Sequence, residues 1–228
     1  MSRSTTGGGP TVDRDSFLTR VGRASLTSQL PDPVSLSVDL PELPPADLLV
    51  LFRSRSQTVN AVVHGPVTRH GVPRAVTGIA TGHDSSSFMA WDDLPAPGVP
   101  SALQAVGMER VDHVVPPERR IDHNLGYRDV AVGITGAEAA LAESGSVVLV
   151  HGEGRPRMAS LAPDVHIALV ELDRLDRTLA HWARKNPTLV TETTNLVLIT
   201  GPSRTGDIEQ QLNLGVHGPR HVHIVMIK

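Results

Sequence analysis

Four short segments hold the residue types that bind or activate small anions, and each lies beside an apolar run. In the first, Thr135, Gly136 and Glu138 come where a strand-like run stops, so a hydroxyl and backbone N–H groups would open onto the crevice beyond it. A plain strand-to-helix turn on Gly136 explains the same spacing. In the second, Glu143 precedes Ser144-Gly145 at what reads as a helix C-terminus, where a carboxylate meets the negative end of the helix dipole. Such an acid is either an exposed residue that tolerates a small penalty or one with a task. In the third, Ser203, Arg204 and Thr205 follow an apolar run and supply hydroxyls that cap a helix and a guanidinium that takes a carboxylate or phosphate. Asp207 and Glu209 already complement that helix start, and the Gly-Lys-Ser/Thr ending of a phosphate loop is absent, so a carboxylate or phosphate ester fits better than a nucleoside triphosphate. In the fourth, His217 and Gly218 sit in a loop bounded by Gly and Pro from which the ring reaches the crevice.

Taken together, the segments assign Glu143 and His217 as a proton-transfer pair, and Thr135, Gly136, Glu138, Ser203, Arg204, Thr205 and Gly218 as an anion site. His221 and His223 alternate on one strand and share a face, but the sequence places no third ligand beside them, so no metal site is assigned. The metalloprotease HExxH, the hydrolase GxSxG and the dinucleotide GxGxxG patterns do not occur.

The elements that must position these residues read as α/β. Apolar runs at residues 59–63, 75–79, 111–115, 130–134, 147–150, 165–170, 196–200 and 222–227 are strand-like, and helices are expected around 48–52, 136–143, 172–184 and 205–214. The alternation predicts a mostly parallel twisted sheet with helices on both faces. Residues 65–74 are too few for a helical crossover between two of these runs, so that pair is expected to be antiparallel, or one of the two runs is not a strand. Residues 151–154 look like the tip of a hairpin excursion. Upstream, residues 1–12 are Ser, Thr and Gly with a Pro and read as a disordered tail. Residues 13–45 read as a short amphipathic helix, with Phe17, Val21 and Ala24 on one side, followed by a Pro-rich linker. The α/β domain then occupies 46–228.

Composition narrows the function. The 228 residues, 39% hydrophobic, can bury a real core, and a net charge of −3 gives no bulk attraction to nucleic acid. With no Cys at all, the chain cannot ligate an iron–sulfur cluster through its own thiolates, form a disulfide or offer a cysteine nucleophile. No apolar run approaches the roughly 20 residues of a membrane span, and the first ten residues lack the apolar stretch of a secretory signal, so a cytoplasmic protein is expected.

The segments Val132-Gly133-Ile134-Thr135-Gly136-Ala137-Glu138, Ala142-Glu143-Ser144-Gly145-Ser146, Leu161-Ala162-Pro163-Asp164-Val165-His166-Ile167, Ile199-Thr200-Gly201-Pro202-Ser203-Arg204-Thr205-Gly206-Asp207-Ile208-Glu209 and Gly215-Val216-His217-Gly218-Pro219, in that order, resemble the LUD domain of the lactate utilization protein C family. The likeness covers about residues 122–228. It departs from the pattern at Glu138 (Asp expected), Ser144 and Ser146 (Thr) and Gly206 (Ala), and the helix it implies between the runs near Val63 and Ala75 finds no room. The resemblance implies a fold similar to the sugar-isomerase and CoA-transferase-like group. It also implies a subunit role in oxidising L-lactate to pyruvate beside iron–sulfur partner proteins, with no cofactor on this chain and a small anionic metabolite as ligand. Two other classes stay open: a stand-alone CoA-transferase-like or isomerase-like enzyme using Glu143 or Glu138, and a non-catalytic scaffold.

Overall fold

The computed structural model describes residues 13–27, 41, 43–113, 130–193, 195–206, 212–214 and 217–228. The expected tail at 1–12, most of the Pro-rich linker, and Asp207, Glu209, Gly215 and Val216 lie outside the described residues. The chain divides into two compact units, Met1–Asp39 and Leu40–Lys228. In the first, Asp13 precedes helix α1 (Arg14–Thr27) and accepts from the Ser16 backbone N–H at 3.4 Å, a weak N-terminal cap.

The second unit is built on a six-stranded sheet: β1 (Ala61–Val67), β2 (Ser87–Ala90), β3 (Glu109–Arg110), β4 (Val132–Gly136), β7 (Val165–Glu171) and β12 (His221–Ile227), in the order β1-β12-β7-β4-β2-β3. Every neighbouring pair is parallel, as the apolar alternation requires. A four-stranded sheet in the order β8-β5-β6-β9 uses β5 (Ala139–Leu141), β6 (Ser146–Val150), β8 (Leu175–Asp176) and β9 (Leu196–Ile199); β10 (Arg204–Gly206) and β11 (Leu212–Leu214) form a two-stranded ribbon.

Both faces of the main sheet are covered. On one, Val165, Ile167 and Leu169 pack with α3 (Val72–Gly82) and α4 (Val99–Ala105) through Val72, Val76, Val99 and Leu103. On the other, Ala168, Val170, Ile224 and Met226 pack with Phe52 of α2 (Pro45–Thr58) and with Val147 and Leu149 of the smaller sheet. Strands buried on both sides carry continuous apolar runs rather than alternation, which is why β7 and β12 were legible.

Several expectations need correction. The run at 75–79 is helix α3: Val72, Val76 and Ala80 recur at the four-residue helical spacing, with Pro73 in the first turn, and all three are buried. The strand after β1 is therefore β2, and the helix implied between them is present. Residues 136–143 form no helix; β4 runs through Gly136, and Ala139–Leu141 pairs with both β6 and β8, so burial of small residues in a sheet overrode their helix propensity. Residues 204–206 and 212–214 pair as antiparallel strands where a helix was expected. Within 172–184, a 3-10 turn and β8 precede α6 (Leu179–Lys185). The third apolar run is displaced, with β3 at Glu109–Arg110. The excursion at 151–154 is a single bridge between Gly152 and Arg155 that leads into a one-turn helix, α5 (Met158–Leu161), and the true hairpin is β5–β6.

Candidate functional site

The nine residues singled out from the sequence do not gather in one crevice. Thr135 is fully buried, with its hydroxyl 2.9 Å from His166 Nε2, so it faces no ligand. Gly136 lies against Pro95 and the Trp91 ring at the carboxyl end of β4. Ser203 donates its backbone N–H to Pro219 at 2.9 Å, and Gly218 abuts the Ser203 side chain. Because Val132, Val165 and His221 share one register line, this second group sits at the amino edge of the sheet, a strand's length from Gly136. Arg204 is exposed on β10, Thr205 pairs with Asn213, and His217 is exposed. Glu143 is not at a helix end. It lies in the β5–β6 turn, its backbone N–H bonded to the Arg177 carbonyl and its carboxylate 2.7 Å from Arg177 Nε, so its partner is Arg177 and not His217.

What the fold does assemble stands at the carboxyl edge, where parallel sheets bind ligands. Arg69 follows β1, Asp93 follows β2, Glu138 follows β4, and Glu171 ends β7 with Arg174 three residues on; Arg155 reaches in from the bridged turn after β6. Together they line a cavity of about 120 Å³. Their charges alternate in one chain. Asp93 accepts from Arg155 Nε at 2.7 Å, Arg155 and Arg174 hold the two oxygens of Glu138 at 2.7 and 2.9 Å, Arg174 Nε reaches Glu171 at 3.2 Å, and Arg69 joins Glu171. Arg69 also donates to the Pro95 carbonyl at 2.7 Å, and the Arg155 guanidinium lies 5.3 Å over Trp91. The hydrogen bond from Arg155 to Asp93 raises its pKa against the opposing effect of burial.

Three guanidiniums against three carboxylates leave the rim neutral, yet each guanidinium carries more N–H donors than the bonds it makes here. The arrangement is a preorganised donor array that a carboxylate or phosphate can enter without ordering long side chains. Of the expected anion residues, Gly136 and Glu138 belong to it; Glu138 acts as a buttress that aims two arginines. Sequence reading missed Arg69, Asp93, Arg155, Glu171 and Arg174; all but Arg155 lie at or within three positions of the end of an observed strand, but of the runs read from sequence only 165–170 ends that close to one of them, Glu171, because the first run stopped at residue 63 and 87–90 was not read as a strand.

The histidines gather elsewhere. His223 Nδ1 lies 2.9 Å from His64 Nε2, and its Nε2 lies 2.9 Å from His83 Nε2, so the pair read from β12 gains two partners. Burial, then the neighbouring imidazoles, pushes the His223 pKa down to about 4, and burial pushes that of His166 down to about 3. Among the described residues, no group of three His, Cys, Asp or Glu side chains is arranged to hold a metal ion.

The chain is thus an α/β protein with a fully parallel main sheet and an arginine-rich crevice at its carboxyl edge. Within that class the chain belongs to the LUD domain family, whose model matches residues 51–227. It is similar to lactate utilization protein C of Halalkalibacterium halodurans, 31% identical over 76% of this chain and 80% of the relative. It is also similar to that of Deinococcus radiodurans, 34% identical over 59% of this chain and 61% of the relative. A crystal structure of a DUF162 family protein from Deinococcus radiodurans shares the fold, with a TM-score of 0.61 and 23% identity over 82% of this chain and all of that one.

Proposed function

We propose that this chain is the cluster-free, anion-binding subunit of a lactate-utilization system. Its relatives carry the name lactate utilization protein C, the resemblance implies iron–sulfur partner proteins as the electron carriers, and a chain with no Cys holds no cluster through its own thiolates. Oxidation of L-lactate to pyruvate releases two electrons and two protons; in this reading the electrons pass to clusters on the partners, and this chain holds the anionic metabolite and docks them. No helix among the described residues is long and apolar enough to cross a membrane, which fits a cytoplasmic place for the subunit.

The observation that carries the reading is the convergence of Arg69, Arg155 and Arg174 at the carboxyl edge. A CoA-transferase-like enzyme needs an unencumbered carboxylate nucleophile, and Glu138 and Glu171 are each tied to two arginines while Glu143 is tied to Arg177, which favours binding over covalent catalysis. Calorimetric titration with L-lactate, pyruvate and a sugar phosphate tests it. Arg174→Gln is expected to weaken the bound anion by about 1.5–3 kcal/mol, the range for hydrogen bonds to charged groups, while Arg204→Gln leaves it unchanged. Loss on Arg204→Gln alone would move the site to the amino edge, and no saturable binding of any of the three would remove it.

A further inference from the structure

Arg155 is held by more contacts than its ion pair with Asp93 requires. The turn that carries it is fixed on both sides. The Asp92 backbone N–H donates to the Gly154 carbonyl at 2.9 Å, and the indole Nε1 of the buried Trp91 donates to the Pro156 carbonyl at 3.3 Å. The guanidinium is fixed as well, lying 5.3 Å over the Trp91 ring with its Nη1 bonded to Glu138 at 2.7 Å. These contacts leave the edge formed by Nε and Nη2, one of the edges by which an arginine takes a carboxylate. Asp93 occupies that edge, its Oδ2 accepting from Nε at 2.7 Å and from Nη2.

Asp93 differs from the other two carboxylates of the crevice. Glu138 and Glu171 each bond two arginines and have side chains 20% exposed. Asp93 bonds Arg155 alone among the described residues, and its side chain is 51% exposed. An ion pair with one half-exposed member contributes little to stability, and this carboxylate already meets water. The backbone beside it is tied down at the Asp92 N–H and at the Pro95 carbonyl, which accepts from Arg69 at 2.7 Å. Rotation about the Cα–Cβ bond of Asp93 is therefore enough to vacate the edge, and Arg155 stays aimed by Glu138 and Trp91 when it does.

We propose that Asp93 is a built-in stand-in for the ligand, and that a small monocarboxylate enters the crevice by taking its place on the Nε and Nη2 edge of Arg155. The proposal rests on the crevice being an anion site; it adds the class of ligand and the residue that competes with it. The exchange trades one negative charge for one, so the balance between the arginines and the two glutamates is the same before and after. A phosphate group, with up to about two charges at neutral pH, would bring more charge than Asp93 gives up.

The test follows the Arg155 Nε–Hε signal in 15N NMR spectra of the whole chain, assigned by its loss in Arg155→Lys. Acetate, a bare monocarboxylate, and inorganic phosphate are each added at constant ionic strength. Acetate is expected to shift the wild-type signal saturably, with phosphate weaker. Asp93→Asn keeps the shape and removes the competing charge, and is expected to bind acetate about fivefold tighter, the upper end of what an exposed ion pair is worth. Glu138→Gln, which loosens the aim of Arg155, should bind it more weakly. Acetate affinity unchanged or reduced in Asp93→Asn, phosphate tighter than acetate on the wild type, or no response of the Arg155 signal in Asp93→Asn would overturn the proposal. The same titration with L-lactate separates the two questions: acetate bound more tightly by Asp93→Asn, with L-lactate bound by neither protein, would remove lactate from the crevice and still support the exchange.

Discussion

Gly133→Ala is expected to unfold the α/β unit. A Cβ at this position would stand 1.6 Å from the Ala159 carbonyl oxygen and 2.8 Å from Pro163 Cγ, because α5 lies directly on the middle of β4. Relief requires backbone movement of α5 or β4, and both are packed in the core, so the loss should exceed about 4 kcal/mol, beyond most point mutations. Gly136→Ala, three residues on in the same strand, is the control: its Cβ would meet Pro95 and Trp91 at 3.5 and 3.7 Å, ordinary contact distances. Urea unfolding midpoints of the two variants decide the matter. A folded Gly133→Ala within 1 kcal/mol of the wild type would contradict the seating of α5 on β4.

The second large effect is acid instability from neutral buried histidines. His166 has an ordinary pKa of 6.5 in the unfolded chain and one of about 3 when folded, mainly through burial and then through His151 and His223. Between those values the unfolded state binds the extra proton, so its contribution is complete above pH 6.5 and declines as the pH falls toward 3. For His166 alone the linkage amounts to about 2 kcal/mol between pH 7 and pH 5. His223, with its pKa lowered to about 4, acts in the same direction but is partly exposed and adds less. His166→Gln, which keeps a partner for the Thr135 hydroxyl, is expected to reduce the stability difference between the two pH values by about that 2 kcal/mol. An unchanged difference, read from urea unfolding at both pH values, would contradict a neutral buried His166.

What the sequence made legible follows burial. Runs buried on both faces, such as 165–170 and 222–227, declared themselves as strands, and their number and alternation were enough for the fold class. The misreadings share one physical cause: small or polar segments whose state is decided by tertiary neighbours. Ala139, Ala140 and Leu141 favour helix locally but are enclosed as the second strand of a small sheet. Residues 75–79 read as a strand only when Val72 and Ala80 are left out of the window.

The site was legible in part. Gly136 and Glu138 stand at the carboxyl edge as the fold rule required, but the partners of Glu138 lie 17 and 36 residues away in sequence, at distances no local motif records. Glu143 was singled out for an imagined helix end; its engagement with Arg177 comes from the β8 pairing, which no periodicity shows. Ser203 and Gly218, read in separate segments and both assigned to the anion site, do meet, but at the opposite edge from Gly136.

In the function proposed above, this chain supports lactate oxidation only together with proteins that carry the electrons. Its most direct test is lactate-dependent reduction of an artificial electron acceptor, measured on the purified chain alone and on the chain co-purified with cluster-bearing partners. With no Cys to hold a cluster, the chain alone is predicted to be colourless and inactive, and turnover is predicted to appear on adding the partners and to fall with Arg174→Gln in step with lost anion binding. Acceptor reduction by the chain alone, with a visible band that bleaches on adding lactate, would rule out a dependence on electron-carrying partners.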